Sequence, residues 1–163
     1  MAEMSVRIVV ANQAEAAFYD LKGRIGVPQL RTRLTDPLAH LHDRDFKSDR
    51  PGRMSDHAAI PGHRRGASAH HGTGGERRPR KHEAELFARA VAQQLEQGHQ
   101  NGEFQHLVLM AAPAFLGLLR KAMASSVRAC VTAEVNKDLV HEPAAALQAH
   151  VPPDALLQLP VSR

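Results

Sequence analysis

Residues 105–112 (QHLVLMAA) are apolar almost without interruption and end at Pro113. A strand has this composition when both of its faces are covered, so the run predicts a central strand in a sheet with helices packed on it. Proline suits the first turn of a following helix, because the amide it lacks would have no partner there. Residues 114–124 continue as that helix, with Phe115, Leu118, Leu119 and Met123 at helical spacing. Arg120 and Lys121 lie toward its C-terminal end, where the helix dipole favours cations. Ser125 and Ser126 break the helix, residues 127–135 read as another strand, and residues 136–138 leave the sheet. A β-α-β unit of this kind implies a parallel, right-handed crossover.

The upstream pattern supplies the rest of the sheet. Residues 6–11 (VRIVVA) are β-branched, and residues 14–20 (AEAAFYD) return after a two-residue turn at Asn12 and Gln13. Residues 22–26 make a second turn, and residues 29–35 (QLRTRLT) alternate polar and apolar, the period of a half-exposed strand. In residues 81–97, Leu86, Phe87, Ala90, Val91 and Leu95 recur at helical spacing, with Glu83, Glu85, Arg89 and Gln93 on the opposite face. Glu83 and Glu85 suit the N-terminal end of that helix and Gly98 its stop. Residues 143–150 form a short final helix before Pro152 and Pro153. The predicted fold is α/β: a mixed five-stranded sheet, β-β-β-α-β-α-β-α, in the order of ribonuclease H-like folds. One domain spans residues 1–151, long enough to bury a core, and 152–163 form a loosely attached tail.

Between the third strand and the first predicted helix runs a long basic loop, residues 40–80, and loops of that length in a compact domain are either functional or disordered. Over residues 40–83 there are ten Lys and Arg against six Asp and Glu, so this stretch carries the whole formal charge of +4 and the remainder sums to zero. Seven of the eleven histidines lie in it as well, so mild acidification would raise its charge further. Positive charge concentrated in one segment points to a polyanionic partner.

Other chemistries have less support. A two-metal nuclease needs carboxylates at the ends of the central strands, and neither Ala11 and Asn12 nor Met110, Ala111 and Ala112 supply one. The histidines at 40, 42, 57, 63, 70, 71 and 82 match no compact zinc spacing. No serine elbow, Walker A loop or dinucleotide fingerprint is present, and Cys130 reads as a small buried hydrophobe inside a strand. No metal or cofactor is expected. With one cysteine, no basic leader and no long apolar run, the chain reads as cytoplasmic, without a membrane partner.

Arg50, Arg53, Arg64, Arg65, Arg77, Arg78, Arg80 and Lys81 are the candidate nucleic-acid contacts, because guanidinium groups pair bidentately with phosphate and the glycines between them let backbone approach closely. Phe46 is the only aromatic residue in the stretch, so backbone or shape recognition of structured RNA fits better than base stacking.

Five motifs, VRIVVANQAEAAFY at 6–19, LHDRDFKSDRPGR at 41–53, KHEAELFARAVAQQL at 81–95, HLVLMAAPAFLGLLR at 106–120 and VNKDLVH at 135–141, resemble the bacterial family of host attachment proteins. That family is in turn similar to the middle domain of the archaeo-eukaryotic class 1 translation release factors and Pelota. In the release factors a Gly-Gly-Gln tripeptide in the loop before the first long helix enters the ribosomal peptidyl transferase centre and promotes peptidyl-tRNA hydrolysis. Gly74, Gly75 and Glu76 stand at the matching place, but Glu76 lacks the amide donors of glutamine and adds a negative charge. The resemblance therefore implies contact with the ribosome, ribosomal RNA or tRNA, with attachment to host cells or surfaces as an alternative role. Hydrolase-like activity through residues 74–76 is a minor alternative.

Overall fold

The computed structural model describes the backbone of residues 4–36 and 66–157, and the side chains of residues 4–36 and 80–157. Strands β1 (Ser5–Ala11), β2 (Glu15–Lys22) and β3 (Gln29–Thr35) are followed by helix α1 (Gly66–Gln100), β4 (His106–Ala111), α2 (Pro113–Ala122), the single turn α3 (Ser125–Arg128), β5 (Val131–Val135), α4 (Ala144–His150) and the single turn α5 (Pro153–Leu156). One sheet holds the strands in the order β3-β2-β1-β4-β5. β1 pairs antiparallel with β2, and β2 with β3, while β1–β4 and β4–β5 are parallel. The expected mixed five-stranded sheet, with a meander joined to a parallel unit, is present.

β1 and β4 are central and covered on both sides, which is why they lack a polar face. Val9 and Ala11 point, with Leu107 and Leu109, to the side carrying Phe87, Val91 and Leu95 of α1 and Phe115, Leu116 and Leu119 of α2. Val6, Ile8 and Val10 point, with Val108 and Met110, to the side covered by Leu139, Val140, Leu147 of α4 and Leu156 of α5. The molecule is thus three layers deep. Each fully buried Leu, Ile or Phe among these contributes about 1.5–3 kcal/mol relative to exposure.

Several expectations need correction. The hairpin pairing begins at Ala11 and Ala16, so the turn is longer than Asn12 and Gln13. Asn12 causes this: its Oδ1 accepts the amides of both Ala14 and Glu15 at 2.9 Å, which keeps both out of the β1–β2 register, Glu15 pairing with Thr35 of β3 alone. The buried stripe of α1 is Ala84, Phe87, Ala88, Val91, Ala92 and Leu95, while Leu86 and Ala90 are exposed, because three alanines set the face that approaches the sheet closely. Gly98 is not a stop: α1 continues to Gln100, and the turn uses Gly102, whose φ of 72° favours glycine. In α2 Leu116 is fully buried beside Phe115 and Leu119, while Leu118 packs against the core half-buried. Ser125 and Ser126 open α3, and β5 begins only at Val131. Cys130 therefore lies in the turn before the strand, half-buried. Residues 152–157 are not loose: Ala155 and Leu156 of α5 are buried against the sheet.

The helix boundary is the largest correction. α1 begins at Gly66 rather than near Lys81, so the end of the expected loop is helical and Glu83 and Glu85 lie in the helix interior, with no acid in its first turn. Gly72, Gly74, Gly75 and Pro79 are poor helix formers, which hid the helix from a propensity argument. Its C-terminal half is anchored by packing, and helices gain most of their stability from packing rather than propensity.

Candidate functional site

The candidate RNA contacts fall into three groups. Arg50, Arg53, Arg64 and Arg65 lie outside the described residues. Arg77 and Arg78 are on the helical backbone of α1, and Arg80 and Lys81 are on the same helix with exposed side chains. Gly74, Gly75 and Glu76 are also helical rather than at a loop tip. Past the first turn of a helix each amide is bonded to the carbonyl four residues back, so these glycines do not offer a cradle of free backbone amides.

Helix geometry places the basic segment relative to the layers. At 1.5 Å per residue the 35 residues of α1 extend about 52 Å, against about 23 Å for the seven-residue β1. Ala84 is the first buried residue of α1 with a described side chain, and Arg80, Lys81 and His82 are exposed. α1 leads into β4, so it runs antiparallel to β4 and its N-terminal half lies toward the carboxyl ends of β1 and β4.

A polar cluster marks that same end of the sheet. Asn12, just after β1, donates from Nδ2 to Oδ2 of Asp138 at 3.1 Å, and Oδ1 of Asp138 accepts the amide of Val140 at 3.2 Å. Glu15 Oε1 stands 3.8 Å from Nδ1 of the exposed His141. The Asn12 turn and the VNKDLVH motif, far apart in the chain, are thereby brought together. Sequence reasoning looked for a carboxylate on the central strands; Asp138 arrives from the segment after β5 instead, and only the fold reveals that. Among the described residues no group of three or more metal-ligating side chains converges.

At the opposite end of the sheet a second cluster forms a closed ring of alternating charge. Arg7 Nε donates to Asp20 Oδ1 at 2.6 Å, Arg31 donates to Asp20 Oδ2 at 3.1 Å and to Glu103 Oε1 at 2.8 Å, and Glu103 Oε2 returns to within 3.7 Å of Arg7. Arg7 is buried, and its guanidinium carbon sits 5.1 Å from the centre of the Phe104 ring, so a carboxylate and an aromatic face together offset its desolvation. Its second terminal nitrogen makes no hydrogen bond, the distance to Glu103 being that of an ion pair only. The hydrogen bond that Arg31 donates to Asp20, and next the charge of Glu103, hold Arg31 above the ordinary arginine value.

Arg31 reaches this ring because β3 carries a bulge. Phe18 pairs with Thr32 and Tyr19 with Leu30, which leaves Arg31 as an extra residue. An extra residue re-aims the side chain it carries. Strict alternation in QLRTRLT concealed this, and the opposite charges of Arg7 and Asp20 at the two open ends of the hairpin were the one available signal.

Cys130 Sγ lies 3.6 Å from His99 Nδ1 and 3.5 Å from the carbonyl of Ser126. Burial raises its thiol above the ordinary value, which lowers the thiolate fraction at neutral pH and opposes a nucleophilic role.

Two comparisons bear on this arrangement. A family model described as protein required for attachment to host cells matches residues 7–151, which includes both clusters and all of α1. No curated protein matches the chain. Among the described residues no helix is long and apolar enough to cross a membrane.

Proposed function

Because the chain belongs to the family of proteins required for attachment to host cells, we propose that it is a binding protein for structured RNA, with ribosomal RNA or tRNA as the target. The contacts come from Arg77, Arg78, Arg80 and Lys81 on α1, together with Arg50, Arg53, Arg64 and Arg65 upstream. The observation that carries this reading is the localisation of charge. All of the +4 surplus falls within residues 40–83, and within that stretch Arg80, Lys81 and His82 have described side chains that are exposed. Guanidinium and ammonium groups concentrated in one stretch can neutralise phosphates, and phosphate neutralisation supplies much of the affinity of proteins for nucleic acid.

The strand order supports the same reading by analogy. We read it as ribonuclease H-like and related to the middle domain of translation release factors, and fold analogy raises the prior for a ribosomal target without assigning a reaction. Sucrose-gradient fractionation at low and moderate salt tests the proposal. The protein is expected to sediment with ribosomal particles at low salt and to leave them as salt rises; residence at the top of the gradient at every salt concentration rejects the proposal.

The family description favours a second reading, a role in attachment to host cells. Protease treatment of intact cells separates a direct from an indirect role: a chain cleaved only after lysis acts from within.

A further inference from the structure

β3 is an edge strand, and among the described residues no backbone group bonds to its outer side. Such an edge presents a row of free amides and carbonyls to any extended chain that fits. The surface beside it is unusually apolar: Ile25, Val27 and Leu30 are 68%, 58% and 51% exposed. Val27 and Leu30 also line, with Leu21, a recess of about 390 Å³ at the end of the β2–β3 hairpin.

The bulge at Arg31 decides which side chains share a face of β3 with Leu30. Leu30 pairs with Tyr19 and Arg33 with Ala17, and Tyr19 and Ala17 both face the α4 and α5 layer. Leu30 and Arg33, three residues apart, would lie on opposite faces of a regular strand; the extra residue brings them to the same one. Arg33 is exposed and makes no ion pair with a described residue, whereas Arg31 is committed to Asp20 and Glu103. Among the described residues the edge therefore offers backbone pairing, a recess in which Val27 and Leu30 stand beside Gln29, Lys22 and Asp20, and one cation, Arg33, outside any ion pair.

We propose that the outer edge of β3 takes up an extended acidic segment of another protein. That segment adds to the sheet as a sixth strand, seats a large apolar side chain beside Val27 and Leu30, and sets a carboxylate against Arg33. A second copy of the chain fits less well. β3, QLRTRLT, carries no acidic residue to set against Arg33 of the other copy. This surface is separate from the basic segment of α1, so the proposal stands or falls independently of RNA binding.

The test uses the full chain and a fluorescein-labelled heptapeptide, Glu-Val-Glu-Leu-Glu-Val-Glu, beside its counterpart with lysine in place of each glutamate. By fluorescence anisotropy at low salt the acidic peptide is expected to bind about tenfold more tightly than the basic one, and Arg33→Glu to weaken it about tenfold. Bound peptide should slow amide hydrogen exchange in residues 29–33. Equal binding of the two peptides overturns the proposal, as does protection confined to β5 or to residues 66–83. Sedimentation showing a dimer that Arg33→Glu dissociates and that excludes the peptide assigns the edge to a second copy and likewise overturns it.

Discussion

Arg7 and Asp20 are direct partners across the β1–β2 ladder and share a 2.6 Å hydrogen bond, with the arginine side chain only 2% exposed. Their pairing depends on hairpin register. A two-residue turn at Asn12 and Gln13 would have placed Arg7 opposite Phe18; the longer turn that Asn12 nucleates moves it opposite Asp20. A capping interaction at one end of the hairpin thus determines a buried ion pair at the other.

Removing the two partners should have unequal effects. Asp20→Ala leaves a buried guanidinium with only the distant Glu103, and is expected to cost about 3 kcal/mol in urea unfolding. Arg7→Met keeps the packing on Phe104, and leaves an Asp20 that Arg31 still satisfies, so it should cost less. The double variant should be more stable than Asp20→Ala alone. If Arg7→Met proves as costly as Asp20→Ala, burial of the charge is not what makes this pair sensitive.

Gly98 is held small by the same ring. A Cβ there would lie 2.7 Å from Glu103 Oε2, 3.2 Å from an Arg7 terminal nitrogen and 3.3 Å from the Phe104 ring. Gly98→Ala gains about 1 kcal/mol of helix propensity but must displace the carboxylate that bridges Arg31 and Arg7. A double-mutant cycle with Glu103→Ala should show coupling of about 1 kcal/mol, with alanine better tolerated once the carboxylate is gone. Additive effects would mean that Glu103 swings clear without loss.

What the sequence made legible, and what it concealed, follows from the range of each interaction. The strand at 29–35 could be read from its alternation and the one near 105–112 from its unbroken apolar run, because each signal is local to its own segment. Phe115, Leu119 and Val91 were identified as core for the same reason. Arg7 is the one polar residue in VRIVVA, and its partner is fixed only when a turn sets the register. Asp138 reaches Asn12 through the whole sheet. The start of α1 was hidden by glycines whose unfavourable propensity says nothing about a helix anchored further along. The bulge at Arg31 reverses the face of Leu30 without leaving a mark in the alternation.

Asn12 should be among the most sensitive half-buried polar positions. Its side chain satisfies two backbone amides and holds Asp138, so Asn12→Ala leaves three groups without their partner. A loss of about 1–3 kcal/mol in thermal or urea unfolding is expected, the cost of an unsatisfied partly buried donor. Gln13→Ala, at an exposed neighbouring position, is the control and should change stability by less than about 0.5 kcal/mol.

Cys130 supplies a prediction with a defined sign. Burial raises its pKa in the folded chain above the ordinary 9.0, so the folded state holds the proton more tightly than the unfolded one. The associated stability is complete below the unfolded pKa and is lost as pH rises through the folded value. Alkylation by iodoacetamide should therefore show a pH profile displaced to higher pH in the native chain than in urea. A native profile shifted to lower pH would indicate an activated thiolate at the Cys130–His99 contact.

The basic segment of α1 makes a quantitative prediction about salt. If Arg77, Arg78, Arg80 and Lys81 each neutralise one phosphate, replacing all four by glutamine should make the dependence of log K on log salt shallower by about three units, at about 0.7–0.9 per contact. Arg128→Gln, an exposed cation on α3, is the control and should leave the slope unchanged. Slope and affinity answer different questions here. A fourfold variant that binds more weakly at the original slope has lost fold or orientation rather than phosphate contacts, and unfolding measurements on the same protein would reveal it. A variant with both the original slope and the original affinity would move the interface off α1, leaving Arg50, Arg53, Arg64 and Arg65 as the cations to test next.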